Sequence, residues 1–228
     1  MYSRRSQLDQ EMQSIRDDLL RLASLVDRAI DGTFRAFVSH DDPAAVDVIN
    51  ADDAIDQLHE KIEHQVEITV ALQQPAASDL RALIASLLIS TELERMGDHA
   101  EGIARTVVRD TTDRPEDVPA SLFGMRDLAR RMLRDAMDAF VGRDVEKARA
   151  VAAVDAQVDE LYKKLFDELI TRMSSGALRV ERGTYLLWTG HNLERICDRT
   201  TNICERVIYM RTGDVGNLNV KAAGEGAE

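Results

Sequence analysis

One acidic helical motif occurs twice in the chain, and this internal repeat limits the folds that the chain can adopt. A glutamate is followed four residues later by an aspartate at Glu94 and Asp98, and again at Glu194 and Asp198. Both motifs lie in long stretches whose apolar residues recur every three or four positions, the spacing of an amphipathic helix. Side chains four residues apart share one face of a helix, about 5–6 Å apart at Cβ. Each motif therefore presents two carboxylates in one direction.

The repeat extends beyond these two motifs. A second acidic pair, Asp52 and Asp56, recurs as Asp155 and Asp159 at an offset of 103 residues. After the next turn the offset becomes 100, because that turn is longer in the first half. A unit of roughly 100 residues is large enough to bury its own core. We infer that one three-helix unit has been duplicated.

Apolar periodicity predicts six long helices and no sheet, so the expected fold is all-α, with two tandem three-helix bundles. The helices are expected at about 4–40, 43–73, 78–111, 120–142, 144–173 and 178–212. The expected organisation is a first bundle at 1–112, a linker at 113–119, a second bundle at 120–212 and a disordered tail at 213–228. The linker contains two prolines, and the tail has four glycines and no apolar period.

Charge and hydropathy exclude several classes of partner. The net charge is −12, from 29 basic and 41 acidic residues, which disfavours binding to nucleic acid or anionic lipid. No apolar run approaches the roughly 18 residues of a membrane span, and no apolar segment follows the N-terminal arginines. Cys197 and Cys204 lie seven residues apart on one predicted helix, too far for a disulfide. We expect a cytoplasmic protein without direct membrane insertion.

Hairpin geometry brings the acidic pairs together. Helices joined by the short turn at Pro75 run antiparallel, so residues equidistant from that turn lie level. Asp56 then lies level with Glu94, and Asp52 with Asp98. The second hairpin, which turns near residue 176, forms an equivalent set of Asp155, Asp159, Glu194 and Asp198. Each hairpin is predicted to carry a rectangle of four carboxylates.

Four neighbouring carboxylates repel one another, and a multivalent cation removes that conflict. Oxygen donors suit iron, manganese, magnesium or calcium, and zinc is possible although it prefers nitrogen or sulfur. Asn202, one turn after Asp198, could add an amide oxygen, and His191 could add a nitrogen. Helical asparagine more often bonds to its own helix, and Arg95 and Arg195 could pair with neighbouring acids, which would weaken the case for metal. The alternative for the whole constellation is a solvated acidic face on an acidic protein.

An apolar stripe leads up to the acidic residues on the third and sixth helices. Leu87 and Leu187, one or two turns before the carboxylates, are candidate anchors for a partner helix, and each could instead belong to the core. The sequence contains no glycine-rich phosphate loop, no readable Ser-His-Asp arrangement and no Glu-x-x-His pair of the di-iron bundle proteins. The pattern therefore favours a binding protein over an enzyme.

In these acidic motifs and in the segment 193–205, the chain resembles the PhoU family. The resemblance covers about residues 5–210. It implies a cytoplasmic, often dimeric helical protein whose motif carboxylates bind iron, zinc or another multivalent cation. It also implies contact with the ATPase subunit of the phosphate transporter and with a sensor histidine kinase, and repression of phosphate-starvation genes when phosphate is plentiful. One departure is that Gly102 and Arg105 replace the Asn202 and Glu205 of the second repeat, so we expect the second metal site to be the better one.

Two functions remain open from the sequence. The first is a non-enzymatic regulator of phosphate uptake and phosphate-starvation signalling, in which metal has a structural or partner-bridging role. The alternative is a carboxylate-bridged metalloenzyme or metal store in a helical bundle. Oxidation of ferrous iron by the protein would favour the second.

Overall fold

The computed structural model describes residues 2–110 and 118–214, with side chains from residue 6 onward. The first repeat contains helices α1 (Tyr2–Ser39), α2 (Asp42–Ala51), α3 (Asp53–Gln73) and α4 (Ala77–Arg109). The second contains α5 (Ala120–Gly142), α6 (Val145–Ala152), α7 (Asp155–Ser174) and α8 (Val180–Thr212). No strand occurs in this part of the chain. The predicted all-α class is confirmed.

The structure divides the second helix of each repeat into two pieces. The predicted helix at 43–73 is interrupted at Asp52, whose N–H bonds to the carbonyl of Ile49 at 3.3 Å, three residues back rather than four. The predicted helix at 144–173 is interrupted at residues 153–154. Neither interruption contains glycine or proline, so no sequence signal marked it. Both lie at or just before the first carboxylate of each predicted rectangle.

Both repeats use the same turn after their first helix. His40 and Arg143 adopt the left-handed conformation, with φ of 56° and 50°. Asp41 and Asp144 then cap the next helix, each accepting a backbone N–H three residues ahead, at 3.0 Å and 2.9 Å. The duplication inferred from sequence therefore extends to the local backbone.

The long helices α4 and α8 pack against each other and join the two repeats in one continuous core. Helix α1 packs on α4 and on α5, and α5 packs on α8. The fully buried residues of α4 and α8 include Leu93, Met96, Ile103, Leu193, Ile196 and Ile203. No helix in the described part is long and apolar enough to span a membrane.

Most of the predicted linker, and the predicted tail beyond Asp214, lie outside the described residues. Val118 and Pro119 directly precede α5, and Gly213 ends α8 in the left-handed conformation at φ 78°.

A buried ion pair joins the two repeats where α4 ends and α8 begins. Arg182 Nη1 lies 2.5 Å from Asp110 Oδ2, and the two side chains are only 3% and 2% exposed. The guanidinium also lies 5.2 Å from the ring centroid of Phe37, at the end of α1. A buried charge must keep its partner, because its hydration is lost. This pair therefore fixes how three helices meet.

Replacing Arg182 with methionine should destabilise the protein by about 3–5 kcal/mol, because it leaves the carboxylate of Asp110 buried without its guanidinium. The free energy of unfolding in urea measures this loss. Arg179→Met is the matched control, since Arg179 pairs with Glu181 at an exposed site; it should lose less than about 1 kcal/mol. Equal losses in the two variants would contradict a stabilising role for the buried pair.

Candidate metal centres

The structure brings together the four carboxylates predicted for the first repeat, and we call Asp52, Asp56, Glu94 and Asp98 the first cluster. A Cβ atom placed on Gly97 would lie 3.1 Å from Asp52 Oδ1, so this carboxylate contacts the backbone of α4 beside Asp98. Among the described residues, no lysine, arginine or histidine lies within ion-pairing distance of the four carboxylates. Their negative charge is therefore not compensated by direct contacts.

Burial and this uncompensated charge raise the pKa of three carboxylates in the first cluster. Burial raises the pKa of Asp52 to about 7, and the charges of Asp56 and Glu101 act in the same direction. Burial also raises the pKa of Glu94 and that of Asp98, with further contributions from neighbouring carboxylates. Asp52 is therefore half-protonated near neutral pH, and the cluster has an electrostatic reason to accept either a proton or a cation.

Glu101 is a fifth carboxylate that the sequence analysis missed. Its charge raises the pKa of Asp52 and that of Asp98, so it faces the first cluster. Its position three residues after Asp98, on the same helix face, was the signal that could have found it. Arg105 lies 2.5 Å from Glu101 and partly neutralises it.

The four carboxylates of the second repeat, Asp155, Asp159, Glu194 and Asp198, form the second cluster around a buried thiol. Burial raises the pKa of Cys197 well above its usual range, and the negative charges of all four carboxylates add to that rise. The thiol is therefore neutral at pH 7. Cys197 and Cys204 are both buried, and they do not form a disulfide, as their spacing predicted.

The second cluster differs from the first in its basic neighbours. Arg195 lies 3.1 Å from Asp198 Oδ2 and 3.7 Å from Glu194 Oε2. His191 Nδ1 lies 3.4 Å from the same Glu194 oxygen, which is buried and makes no hydrogen bond. The structure thus places His191 at the second cluster, as the sequence suggested, and shows that Arg195 partly neutralises this cluster.

Packing explains why the two clusters have different residues at their centre. A side chain at Gly97 would approach Ile55 Cδ1 to 3.0 Å. The corresponding pair in the second repeat is Cys197 and Val158, both fully buried. Valine lacks the δ-methyl group, so one of the three close contacts of the added Cβ is absent in the second repeat; the other two are with the γ-methyl of Ile55 and with Asp52 Oδ1, both at 3.1 Å.

The contact that the structure shows for Asn202 lies between the repeats. Its amide nitrogen donates to Glu92 Oε2 at 3.1 Å, and Arg199 lies 3.5 Å from the same oxygen. The reciprocal contact joins Asn192 Oδ1 and His99 Nδ1 at 3.1 Å. Residues 92 and 192, and 99 and 199, are repeat equivalents, so the interface has an approximate two-fold arrangement. Asn202 as a metal ligand stays a prediction.

The two candidate anchors are less exposed than their neighbours. Leu87 and Leu187 are partly buried and pack against the core. The next residues, Leu88 and Trp188, are the exposed ones, and Trp188 is 53% exposed. Apolar surface suited to a partner therefore lies one residue further along each helix than the sequence analysis placed it.

The donor set of both clusters fits a multivalent cation in its chemistry, since it consists of hard carboxylate oxygens. The uncompensated charge of the first cluster points the same way, as does the buried Glu194 oxygen of the second, which makes no hydrogen bond. The donor atoms do not point toward one common position: within residues 2–110 and 118–214, no group of three or more His, Cys, Asp or Glu is arranged to hold a metal ion. Cation binding would thus require rotation of these side chains.

The raised pKa of Asp52 predicts a specific dependence of stability on pH. Between about pH 4 and pH 7 the folded chain keeps a proton that the unfolded chain releases, so stability falls as pH rises through this window. Asp52→Asn should remove this contribution. In the absence of metal, wild type should lose about 1–2 kcal/mol more than the variant across the window, after allowance for solvent screening of a half-exposed group.

Urea unfolding at both ends of the window measures the difference. Asp47→Asn changes an exposed carboxylate on α2 and should leave the slope of wild type unchanged. Identical slopes for wild type and Asp52→Asn would show that burial of this carboxylate does not affect stability.

Comparison with known proteins supports the resemblance found in the sequence. The PhoU domain matches the chain twice, at residues 19–107 and 122–207. A phosphate-specific transport system accessory protein PhoU homolog of Clostridium acetobutylicum is 37% identical over 212 residues, which cover 92% of this chain and 97% of that protein. The homolog of the same name from Streptococcus pneumoniae serotype 4 is 36% identical over 94% of this chain and all of its own length.

Solved structures share the fold. The crystal structure of the phosphate transport system regulatory protein PhoU from Streptococcus pneumoniae has a TM-score of 0.86 and 34% identity, and the match covers 92% of this chain and 99% of that one. PhoU from Pseudomonas aeruginosa has a TM-score of 0.85 and 32% identity, with 90% of this chain and 99% of that one covered. The domain matches in both halves and these alignments over nearly the full length show that the chain belongs to the PhoU family.

Proposed function

We propose that this chain is a non-enzymatic accessory regulator of phosphate uptake and phosphate-starvation signalling. Its relatives bear the names of accessory and regulatory proteins of phosphate transport. The observation that carries the proposal is the pair of carboxylate clusters, which the fold holds at corresponding places in both repeats. We place the protein in the cytoplasm as a homodimer, in contact with the ATPase subunit of the phosphate transporter and with a sensor histidine kinase.

The two clusters would hold the metal in this proposal. Asp52, Asp56, Glu94 and Asp98 would hold it in the first repeat, and their counterparts on α7 and α8 in the second. A multivalent cation supplies positive charge that offsets carboxylate repulsion and connects the two helices of each hairpin. Iron, zinc, manganese and magnesium are the candidates. The chain's own part is to keep these oxygens close together on two antiparallel helices.

An aromatic surface beside the second cluster supports partner binding. Tyr162 and Trp188 flank His191, with ring centroids 6.4 Å and 5.9 Å from the histidine. Phe166 lies one turn beyond Tyr162 on α7 and is 47% exposed. We call Tyr162, Phe166, Trp188 and His191 the aromatic patch. Exposed aromatic residues ringed by polar groups are typical anchors of protein interfaces, and this patch lies directly beside Glu194.

Metal binding can be tested with one double variant in each repeat. Glu194→Ala with Asp198→Ala should remove more metal than Glu94→Ala with Asp98→Ala when the protein is purified near pH 7. At that pH, protons compete for the first cluster through the raised pKa of Asp52. Elemental analysis after loading with iron, zinc, manganese or magnesium measures the metal content. The protein that retains only the first site should lose metal as the pH falls below about 7.

Absence of metal from wild type after reloading would leave a solvated acidic face as the explanation of both clusters. Oxygen consumption or ferrous oxidation by iron-loaded protein would favour the alternative function, a carboxylate-bridged metalloenzyme or metal store. The regulator should show neither activity.

The regulatory role can be tested by complementation. Deletion of the gene should leave phosphate-starvation genes active in phosphate-rich medium, and wild-type protein should restore repression. Trp188→Asp should fold normally but restore repression poorly, because it places a charge in the aromatic patch and weakens binding to the transporter ATPase or the kinase. A reporter gene measures repression, and a binding assay with each purified partner measures affinity.

Leu187→Asp separates a binding role from a core role, since Leu187 packs against the core. This variant should lower the free energy of unfolding, and Trp188→Asp should not. Leu88→Asp is the matched control on the first repeat.

Normal repression in the deletion strain, with no related copy elsewhere in the genome, would contradict the regulatory function.

A further inference from the structure

A groove between α5 and α7 lies on a different side of the second bundle from the carboxylate cluster and the aromatic patch. Two adjoining cavities of about 420 Å³ and 370 Å³ form it. Leu128 on α5 and Leu161 on α7 line both cavities and provide an apolar floor. We call this surface the α5/α7 groove. The residues that line it on α5 run from Gly124 to Arg134, about 15 Å along the helix, which is about three turns.

The groove is basic on a chain whose net charge is −12. Arg131 and Lys164 line it, both are exposed, and neither has an ion-pair partner among the described residues. The remaining charged side chains that line the groove are Arg130, Arg134, Asp127 and Glu160. Three of these four already have an ion-pair partner: Arg130 and Arg134 lie 2.8 Å and 3.6 Å from Asp27 on α1, and Asp127 pairs with Arg126 at 2.8 Å.

At the equivalent surface of the first repeat, the lysine has an ion-pair partner. At the offset of 103 residues, Lys61 corresponds to Lys164. Lys61 Nζ lies 2.6 Å from Asp18 Oδ2, and Arg21 Nη1 lies 3.5 Å from the other oxygen of the same carboxylate. Asp18 is almost fully buried between α1 and α3. In the first repeat the lysine thus has a carboxylate partner, and Arg21 contacts the same carboxylate; we call Asp18 and Arg21 the covering residues.

The second repeat lacks both covering residues. Ser121 stands at the position of Asp18, and Gly124 at the position of Arg21. The apolar floor is retained, since Leu25 and Leu58 of the first repeat correspond to Leu128 and Leu161. Both repeats therefore have the lysine and the two leucines of the floor. The second repeat lacks the carboxylate of Asp18 and the side chain of Arg21.

We propose that the α5/α7 groove binds an amphipathic helix of a partner protein, which places a glutamate or aspartate against Lys164 and apolar side chains on Leu128 and Leu161. The carboxylate takes the place that Asp18 has beside Lys61. Arg131 provides a second cationic contact for acidic residues toward the other end of the groove. An interhelical groove about three turns long with an apolar floor matches helix-in-groove recognition. The proposal goes beyond the regulatory function, and it requires neither metal nor phosphate.

A labelled synthetic peptide tests the proposal on the full chain. The peptide is an amphipathic helix of about three to four turns, with leucines every three or four residues and flanking glutamates. The comparison peptide has glutamine in place of every glutamate. Fluorescence anisotropy should show that wild type binds the glutamate peptide at least about tenfold more tightly than the glutamine peptide.

Two sets of variants locate the binding site. Ser121→Asp with Gly124→Arg copies the covering residues of the first repeat and should abolish binding. Ser121→Asp alone should weaken it, and this variant avoids the close approach of an added Cβ on Gly124 to Leu161, at 3.0 Å. Lys164→Glu should weaken binding of the glutamate peptide by about tenfold or more. Arg28→Glu changes the net charge equally at the first-repeat counterpart of Arg131 and should leave binding unchanged.

Several outcomes would overturn the proposal. They are equal binding of the two peptides, no binding of the glutamate peptide to wild type, and unchanged binding in both Ser121→Asp and Lys164→Glu. Concentration-dependent self-association that Ser121→Asp abolishes would show that a second copy of the chain occupies the groove instead. Binding to anionic lipid vesicles that Lys164→Glu abolishes would show that the groove is a lipid site.

Discussion

The packing of α4 against α8 is the interaction on which the rest of the structure depends. Each helix has 33 residues, about 50 Å at 1.5 Å per residue, and each contributes to its own bundle and to the contact between bundles. Burial of both apolar stripes in one core turns two repeats into one body. The reciprocal contacts of Glu92 with Arg199 and of Asn192 with His99 add polar groups that are satisfied only in one register. A different face of α4 carries carboxylates beside α3, and the corresponding face of α8 carries carboxylates beside α7.

The carboxylate clusters show how a fold can hold like charges together. Carboxylates that neighbour one another on a partly buried surface lose hydration and repel, and this raises the pKa of Asp52 to about 7. The second cluster reduces the same conflict with Arg195, which lies within 4 Å of both Glu194 and Asp198. The two repeats therefore present the same donor atoms at different electrostatic potentials, so we expect them to differ in their response to protons and cations.

Divergence between the repeats is concentrated at surfaces, and the core positions stay equivalent. Gly97 faces a large isoleucine, and its counterpart Cys197 corresponds to a position where the smaller Val158 is opposite; both residues of the second pair are fully buried. The α5/α7 groove lies where the second repeat has Ser121 and Gly124 at the positions of Asp18 and Arg21, above the same leucine floor. In the first repeat, Leu88 stands in place of Trp188 and His59 in place of Tyr162. The two repeats thus share the apolar periodicity of their helices and differ in the surfaces that they present.

The sequence by itself determined the helical class, the duplication, the approximate bounds of four long helices and the grouping of acids in each hairpin. These follow from helical periodicity and from equal distances to a turn, both of which are local properties of the chain. Only the tertiary structure decided which acids are neutralised, that Glu101 joins the first cluster, and that Trp188 rather than Leu187 is exposed. It also decided that the second helix of each repeat is interrupted, since no glycine or proline marks the break. These features depend on contacts between distant segments and on rotation of a helix by part of a turn, and neither can be read from spacing along one helix.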